Sequence, residues 1–225
     1  VQVPLKRAGF PQFCLANALT RTALSDYLIR RFAEQTALFS FRAKGSGKSG
    51  LISVSQCGPE VLTRTACHVD SDPQNGCITI RFFVGFPANG RSINAKELEK
   101  ILFEFLPVCI EKTCYYRNLS ALEVKQTIEL CEDQDAIRKE MKQRKLVAFV
   151  ADEAILPRES GISSRPMKNA KPFTSPESLR MTLQLPHKGS ITGMGIPEGI
   201  TLIVGGGYHG KSTLLNAFDM GVYDH

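Results

Sequence analysis

Apolar positions recur at helical spacing in three stretches of the chain and alternate in several shorter ones. In residues 20–34 (TRTALSDYLIRRFAE), Leu24, Tyr27, Leu28 and Phe32 share one stripe, with Arg21, Arg30 and Arg31 beside or opposite it, which predicts an amphipathic helix. Residues 95–106 place Leu98, Ile101, Leu102, Phe105 and Leu106 on one face, and Pro107 is expected to kink or end that helix. A third helix is predicted from Ser120, where Ser-Ala-Leu-Glu123 reads as a capping box and Leu119 can staple onto Val124. It should run to about Lys145 and finish in Arg138, Lys139, Lys142, Arg144 and Lys145. That basic cluster suits the negative end of a helix dipole, so an ordinary structural role accounts for it.

Between these helices the pattern shortens. A brief apolar run (Leu38, Phe39, Phe41) leads into KGSGKSG at 44–50 and an alternating segment at 51–55. Residues 63–69 and 77–84 read as strands around DSDPQNG, a hairpin signal with Asn75-Gly76 at its turn, and GFPANGR then breaks the chain. Residues 146–151 (LVAFVA) form a continuous apolar run expected to be buried on both faces. A Pro- and Ser-rich connector follows, then an alternating strand at 179–185 and an apolar strand expected from Ile200 to Val204. These elements predict an α/β protein: an N-terminal α+β domain over 1–152, a connector over 153–178, and a further domain beginning at 179.

The apolar fraction of 43% and charged fraction of 22% are those of a folded globular chain. No run of 18 apolar residues occurs, so no membrane partner is expected. The N-terminus has neither a secretory core nor a methionine, and the chain is expected to begin partway through a longer protein. Seven scattered cysteines without a C-x-x-C pair argue for a reducing compartment and for thiols used as small core residues. Residues 1–50 hold eight Lys/Arg against two Asp/Glu. Such asymmetry suits either a polyanionic partner or a solvated basic face.

Two stretches look like phosphate loops. In KGSGKSG the spacing of a Walker A loop would put its first glycine at position 42, which is Arg42, and a strand rather than a helix follows. That loop is therefore not the ATP site. Two readings stay open: Arg42, Lys44 and Lys48, with exposed amides and with Arg81 and Arg91 nearby, contact a nucleic-acid backbone, or the loop is a tight turn with solvated lysines. The second stretch, GITLIVGGGYHGKSTLLNAF, meets the full spacing with Gly205, Gly210, Lys211 and Ser212, between an apolar run and a helix-forming one. Its amides, through Gly206, Gly207, Tyr208 and His209, should curl around phosphates at the helix N-terminus. Lys211 should reach the β- and γ-phosphates as the catalytic cation, Ser212 should hold Mg²⁺, and Thr213 should serve the α-phosphate. His209 has two roles open to it, a phosphate contact or exposure to solvent.

With the turn Ile196-Pro197-Glu198-Gly199 ahead of it, this segment resembles the family of predicted ATPases of the ABC class. SDYLIRRF, RAKGSGKSGLISV, VGFPANGRSI, LVAFVADEAILPRESG and PFTSPESL resemble the same family, so the likeness runs from about residue 25 to the end. The resemblance implies a family-specific N-terminal domain followed by the beginning of an ABC-type P-loop domain, with ATP and Mg²⁺ as cofactors and a homodimer in the intact protein. It extends to a kinetoplastid member associated with mitochondrial RNA editing, which implies RNA as partner and the mitochondrial matrix as location. No Walker B strand, signature loop, glutamine loop or switch histidine follows Lys211 before His225, so the chain alone is expected not to turn over ATP. The alternatives from other classes are a non-catalytic RNA-binding scaffold that uses ATP as a dimer clamp, and a P-loop kinase.

Overall fold

A computed structural model describes all residues, 1–225. They divide into two compact units, Val1–Ile128 and Glu129–His225.

The first unit opens with β1 (Gln2–Pro4), α1 (Leu5–Ala8) and the long α2 (Ala18–Ala37). Asn17 starts α2 through a reciprocal cap: its side chain accepts the Thr20 amide at 2.9 Å, and the Thr20 hydroxyl accepts the Asn17 amide at 3.2 Å. Leu24, Leu28, Ile29 and Phe32 are completely buried along one side of α2, as the stripe requires. β2 (Ile52–Ser53) pairs with β5 (Phe83–Val84), and β3 (Cys67–Val69) pairs with β4 (Cys77–Ile80). The β3–β4 turn is the predicted hairpin, closed where the Gly76 amide donates to the Asp72 carbonyl. β1 adds to the far edge of β4, giving the antiparallel order β1-β4-β3, and α2 packs on β3. A small hairpin, β6 (Ala88–Asn89) with β7 (Ser92–Ile93), precedes the next helices.

Pro107 does not end its helix. α3 (Ala95–Glu99) passes through a π-helical stretch, Lys100–Phe105, into α4 (Leu106–Cys114). The Leu106 amide reaches back five residues to the Ile101 carbonyl. This wider turn shifts the register just ahead of the proline, which then sits in the first turn of α4. α5 (Ala121–Gln143) starts as predicted, with the Ser120 hydroxyl accepting the Glu123 amide at 3.3 Å. The Glu123 carboxylate accepts from the Tyr27 hydroxyl at 3.0 Å. The division between the two units falls inside α5.

A buried carboxylate braces the first unit. Asp26, 3% exposed, pairs with Arg30 at 2.5 Å and Arg64 at 3.0 Å, and both guanidinium groups also donate to the Glu60 carbonyl. Cys14, Cys67, Cys109, Cys114 and Cys131 are buried, and burial pushes the Cys14 and Cys109 thiols up to about 11 and Cys114 up to about 12.

The second unit holds β8 (Leu146–Ala151), β9 (Arg180–Leu185), β10 (Gly189–Pro197) and α6 (Lys211–Met220). The sheet is antiparallel in the order β8-β10-β9. β8, expected to be buried on both faces and read with the N-terminal domain, is instead an edge strand here: only Val150 is buried, and Val147 is 60% exposed. Its partner is β10, which assigns it to this unit. Val150, Met194 and Ile196 make a small core, against which Leu156, Phe173, Leu179, Leu214 and Phe218 pack. Residues 153–178, read as a connector, are pinned to this sheet. The Ser175 amide and hydroxyl both donate to the Asp152 carboxylate at 2.6 Å, and the Glu153 amide donates to the Phe173 carbonyl.

Candidate functional site

The glycine loop at 205–210 is delivered by α6. Leu214 and Phe218 seat that helix on the sheet core. Its far end is clipped to α5 by Arg138, which donates to Asp224 at 2.7 Å and to the Gly221 carbonyl at 3.2 Å. Within the basic cluster at the end of α5, Lys139 also pairs with Asp135 and Arg144 with Glu140.

Gly210 opens α6 with φ +80°, the left-handed region that favours glycine, and no side chain caps the helix. The first amides of a helix have no partner inside it, so the amides of Lys211, Ser212 and Thr213 form a cluster of donors at the positive end of the helix dipole. Lys211 folds back over the loop, and its ammonium donates to the Gly205 carbonyl at 2.6 Å and to the Gly206 carbonyl. Gly207 and Tyr208 lie at the exposed crest; the Tyr208 ring is free of the protein surface, and its backbone turns left-handed at φ +62°. Of the two roles expected for His209, the structure shows exposure to solvent. Its Nδ1 accepts the Gly206 amide at 3.1 Å, so the imidazole closes the loop on itself. The Ser212 hydroxyl lies at the exposed helix start with Thr213 half-buried beside it.

The run leading into this loop departs from expectation. Residues 200–204 form no strand, and Ile200, Leu202 and Val204 stand 104%, 81% and 75% exposed. β10, the strand that precedes them, is already paired along both edges, and the chain turns at Gly199 with φ +114°. An apolar run becomes a strand only where an edge accepts it, and this sheet offers none beside β10.

The donor set suits phosphate: uncapped amides, one ammonium, two hydroxyls and no carboxylate in the loop. No group of three or more His, Cys, Asp or Glu side chains gathers to hold a metal ion. Magnesium bound here would take the Ser212 hydroxyl, phosphate oxygens and water, a set this ion accepts.

KGSGKSG is a different object. The Ser46 amide donates to the Ala88 carbonyl, the Ser49 amide to the Ser46 carbonyl, the Gly50 amide to the Gly85 carbonyl, and the Lys44 amide to Glu97. The amides of Lys44, Ser46, Ser49 and Gly50 are thus consumed inside the fold, and the buried Ser49 hydroxyl accepts the Ala88 amide. Lys44 and Lys48 are exposed, Arg42 lies 5.0 Å over the Phe39 ring, and Arg91 sits at the β6–β7 turn. Arg81 is committed to the Thr65 carbonyl at 2.7 Å.

Comparison with known proteins agrees with this division of labour. Residues 1–117, more than half of the chain, match the family described as ATPase of the ABC class, N-terminal; residues 120–225 match an ABC ATPase P-loop domain. Comparison with curated proteins gives no match.

Proposed function

The chain belongs to the family of ATPases of the ABC class, and on that premise we propose that its 205–213 loop holds the phosphates of Mg-ATP. Hydrolysis there drives closure of a homodimer and is coupled to RNA binding or remodelling. The observation that carries the nucleotide reading is the uncapped start of α6 behind a left-handed Gly210, with the Lys211 ammonium parked on loop carbonyls. An anion completes those amides and gives the ammonium a stronger partner than two neutral oxygens.

Within that reading the residues divide the work. Lys211 neutralises charge on the terminal phosphates, Ser212 holds the metal, and Thr213 meets the α-phosphate. Magnesium, when bound, would supply charge neutralisation at the phosphates. The RNA half of the proposal draws on the excess of basic residues in the N-terminal segment, while the dimer and a mitochondrial location draw on family resemblance alone.

The test is steady-state ATP hydrolysis by the intact polypeptide with Lys211→Ala and, separately, Ser212→Ala. A fall of about a hundredfold or more is expected for Lys211→Ala. Hydrolysis that survives both substitutions overturns the enzyme reading, nucleotide retention without turnover points to a clamp, and transfer to an added acceptor points to a kinase.

A further inference from the structure

We propose that His187 is a proton-operated latch between the β9–β10 turn and α5: the imidazolium fastens the turn to the helix, and the neutral ring releases it. The latch goes beyond the nucleotide reading and stands without it.

The sequence prepares both halves of the contact. Glu129, Glu132 and Asp133 stand at i, i+3 and i+4 on α5, a spacing that puts three carboxylates on one helical face. Pro186, His187 and Lys188 join β9 to β10, and Gly189 reverses the chain at φ +77°. This turn meets that face of α5 through two kinds of contact.

The first is made by backbone. The Asp133 side chain is buried, and its carboxylate accepts the His187 amide at 2.9 Å and the Lys188 amide at 3.2 Å. An amide keeps its proton across the ordinary pH range, so these two bonds hold the turn in place without responding to a proton.

The second is made by the imidazole. Its Nε2 lies 2.7 Å from the Glu132 carboxylate, and its Nδ1 lies 3.5 Å from the Glu129 carboxylate. A neutral imidazole has one N–H and one bare lone pair. Either tautomer therefore turns a lone pair toward a carboxylate, which repels it. The imidazolium carries a proton on both nitrogens and a positive charge, and it satisfies both neighbours at once. The side chains of His187, Glu129 and Glu132 are 31%, 30% and 32% exposed, so water can carry the proton to the ring and away.

The cations next to this cluster in sequence are Lys188 on the turn and Lys125, one helical turn ahead of Glu129. Among the residue types gathered here, histidine is the one that changes charge between about pH 5 and 8. Loss of the proton leaves three carboxylates facing the turn and removes the cation between two of them. The fastening is thus present at low pH and lost as pH rises.

The experiment is hydrogen–deuterium exchange of the full chain at pH 5.5 and pH 8.5, corrected for intrinsic rates and read over residues 183–191. Protection of the turn should fall roughly fivefold from the lower to the higher pH, the factor that a partly exposed ion pair supplies. His187→Gln should remove this response and hold the turn at the level of the parent at high pH. Glu132→Gln should shrink the response, and His68→Gln, whose ring faces Asp70 in the first unit, should leave it intact. Nitrogen NMR of the parent should show both ring nitrogens of His187 protonated at pH 5.5. Protection that ignores pH in the parent, a response that survives in His187→Gln, one that His68→Gln also abolishes, or a neutral His187 ring at pH 5.5 overturns the latch.

Discussion

Replacing His209 by alanine should tighten nucleotide binding, because the imidazole competes with phosphate for the Gly206 amide. That amide is one of the donors the loop has to offer, and in the unliganded chain His209 Nδ1 accepts it at 3.1 Å. The contact is exposed and neutral, and such a hydrogen bond contributes about 0.5–1.5 kcal/mol net of water. Removing the competitor should therefore raise affinity by about 2- to 13-fold. Alanine keeps the Cβ, so the backbone freedom of the loop changes little. His209→Phe separates the two parts of the contact: it keeps a ring over Gly205 and Gly206 but has no acceptor, and it should also tighten binding if the hydrogen bond is the cause. The assay is titration of a fluorescent ATP analogue with magnesium, followed by competition with ATP. Weaker binding by His209→Ala would show that the ring assists the phosphates, and the competition argument would be refuted.

Other consequences follow from the two units. Asp26→Ala strands Arg64 and Arg30 against a buried wall and should lower the stability of the first unit by roughly 3 kcal/mol in urea unfolding; a loss within experimental error would show that solvent reaches the pair. Asp152 is held below the usual carboxylate range, chiefly by the Ser175 hydroxyl. Its stabilisation is present above the ordinary aspartate value of about 4 and disappears as pH falls through the lower folded value. Thermal melting of the chain should accordingly lose part of its acid sensitivity in Asp152→Asn, and an unchanged pH profile would count against the clamp. Phe218→Ala removes part of the seat of α6 and should cost about 2 kcal/mol in the second unit, with weaker nucleotide binding; full retention of both would separate the loop from its helix.

The helices were legible because periodicity and caps are local. Ser120 and the stripe Leu24–Leu28–Phe32 act within a few residues of themselves, and the structure places them accordingly. The failures all concern partners that periodicity does not name. LVAFVA carries the apolar content of a central strand, yet it lies at an edge because pairing with β10 decides its place. Ile200–Val204 has a strand composition, yet it pairs with no strand. Pro107, expected to kink or end its helix, does not end it, and the π-helical turn that accommodates it has no residue signature of its own. At KGSGKSG the residue types pointed to exposed amides, but Ala88 and Gly85, far along the chain, absorb those of Ser46 and Gly50. The glycine loop at 205–210 was the converse case: its residue pattern anticipated the left-handed entry to a helix, while the His209 closure could be seen only in three dimensions.

Calorimetric titration of the chain with ATP, in magnesium and in its absence, is the most direct measurement of the central claim. The account predicts one saturable site whose affinity depends on magnesium and collapses in Lys211→Ala. Absence of binding heat, or an isotherm that Lys211→Ala and Ser212→Ala leave untouched, would contradict it.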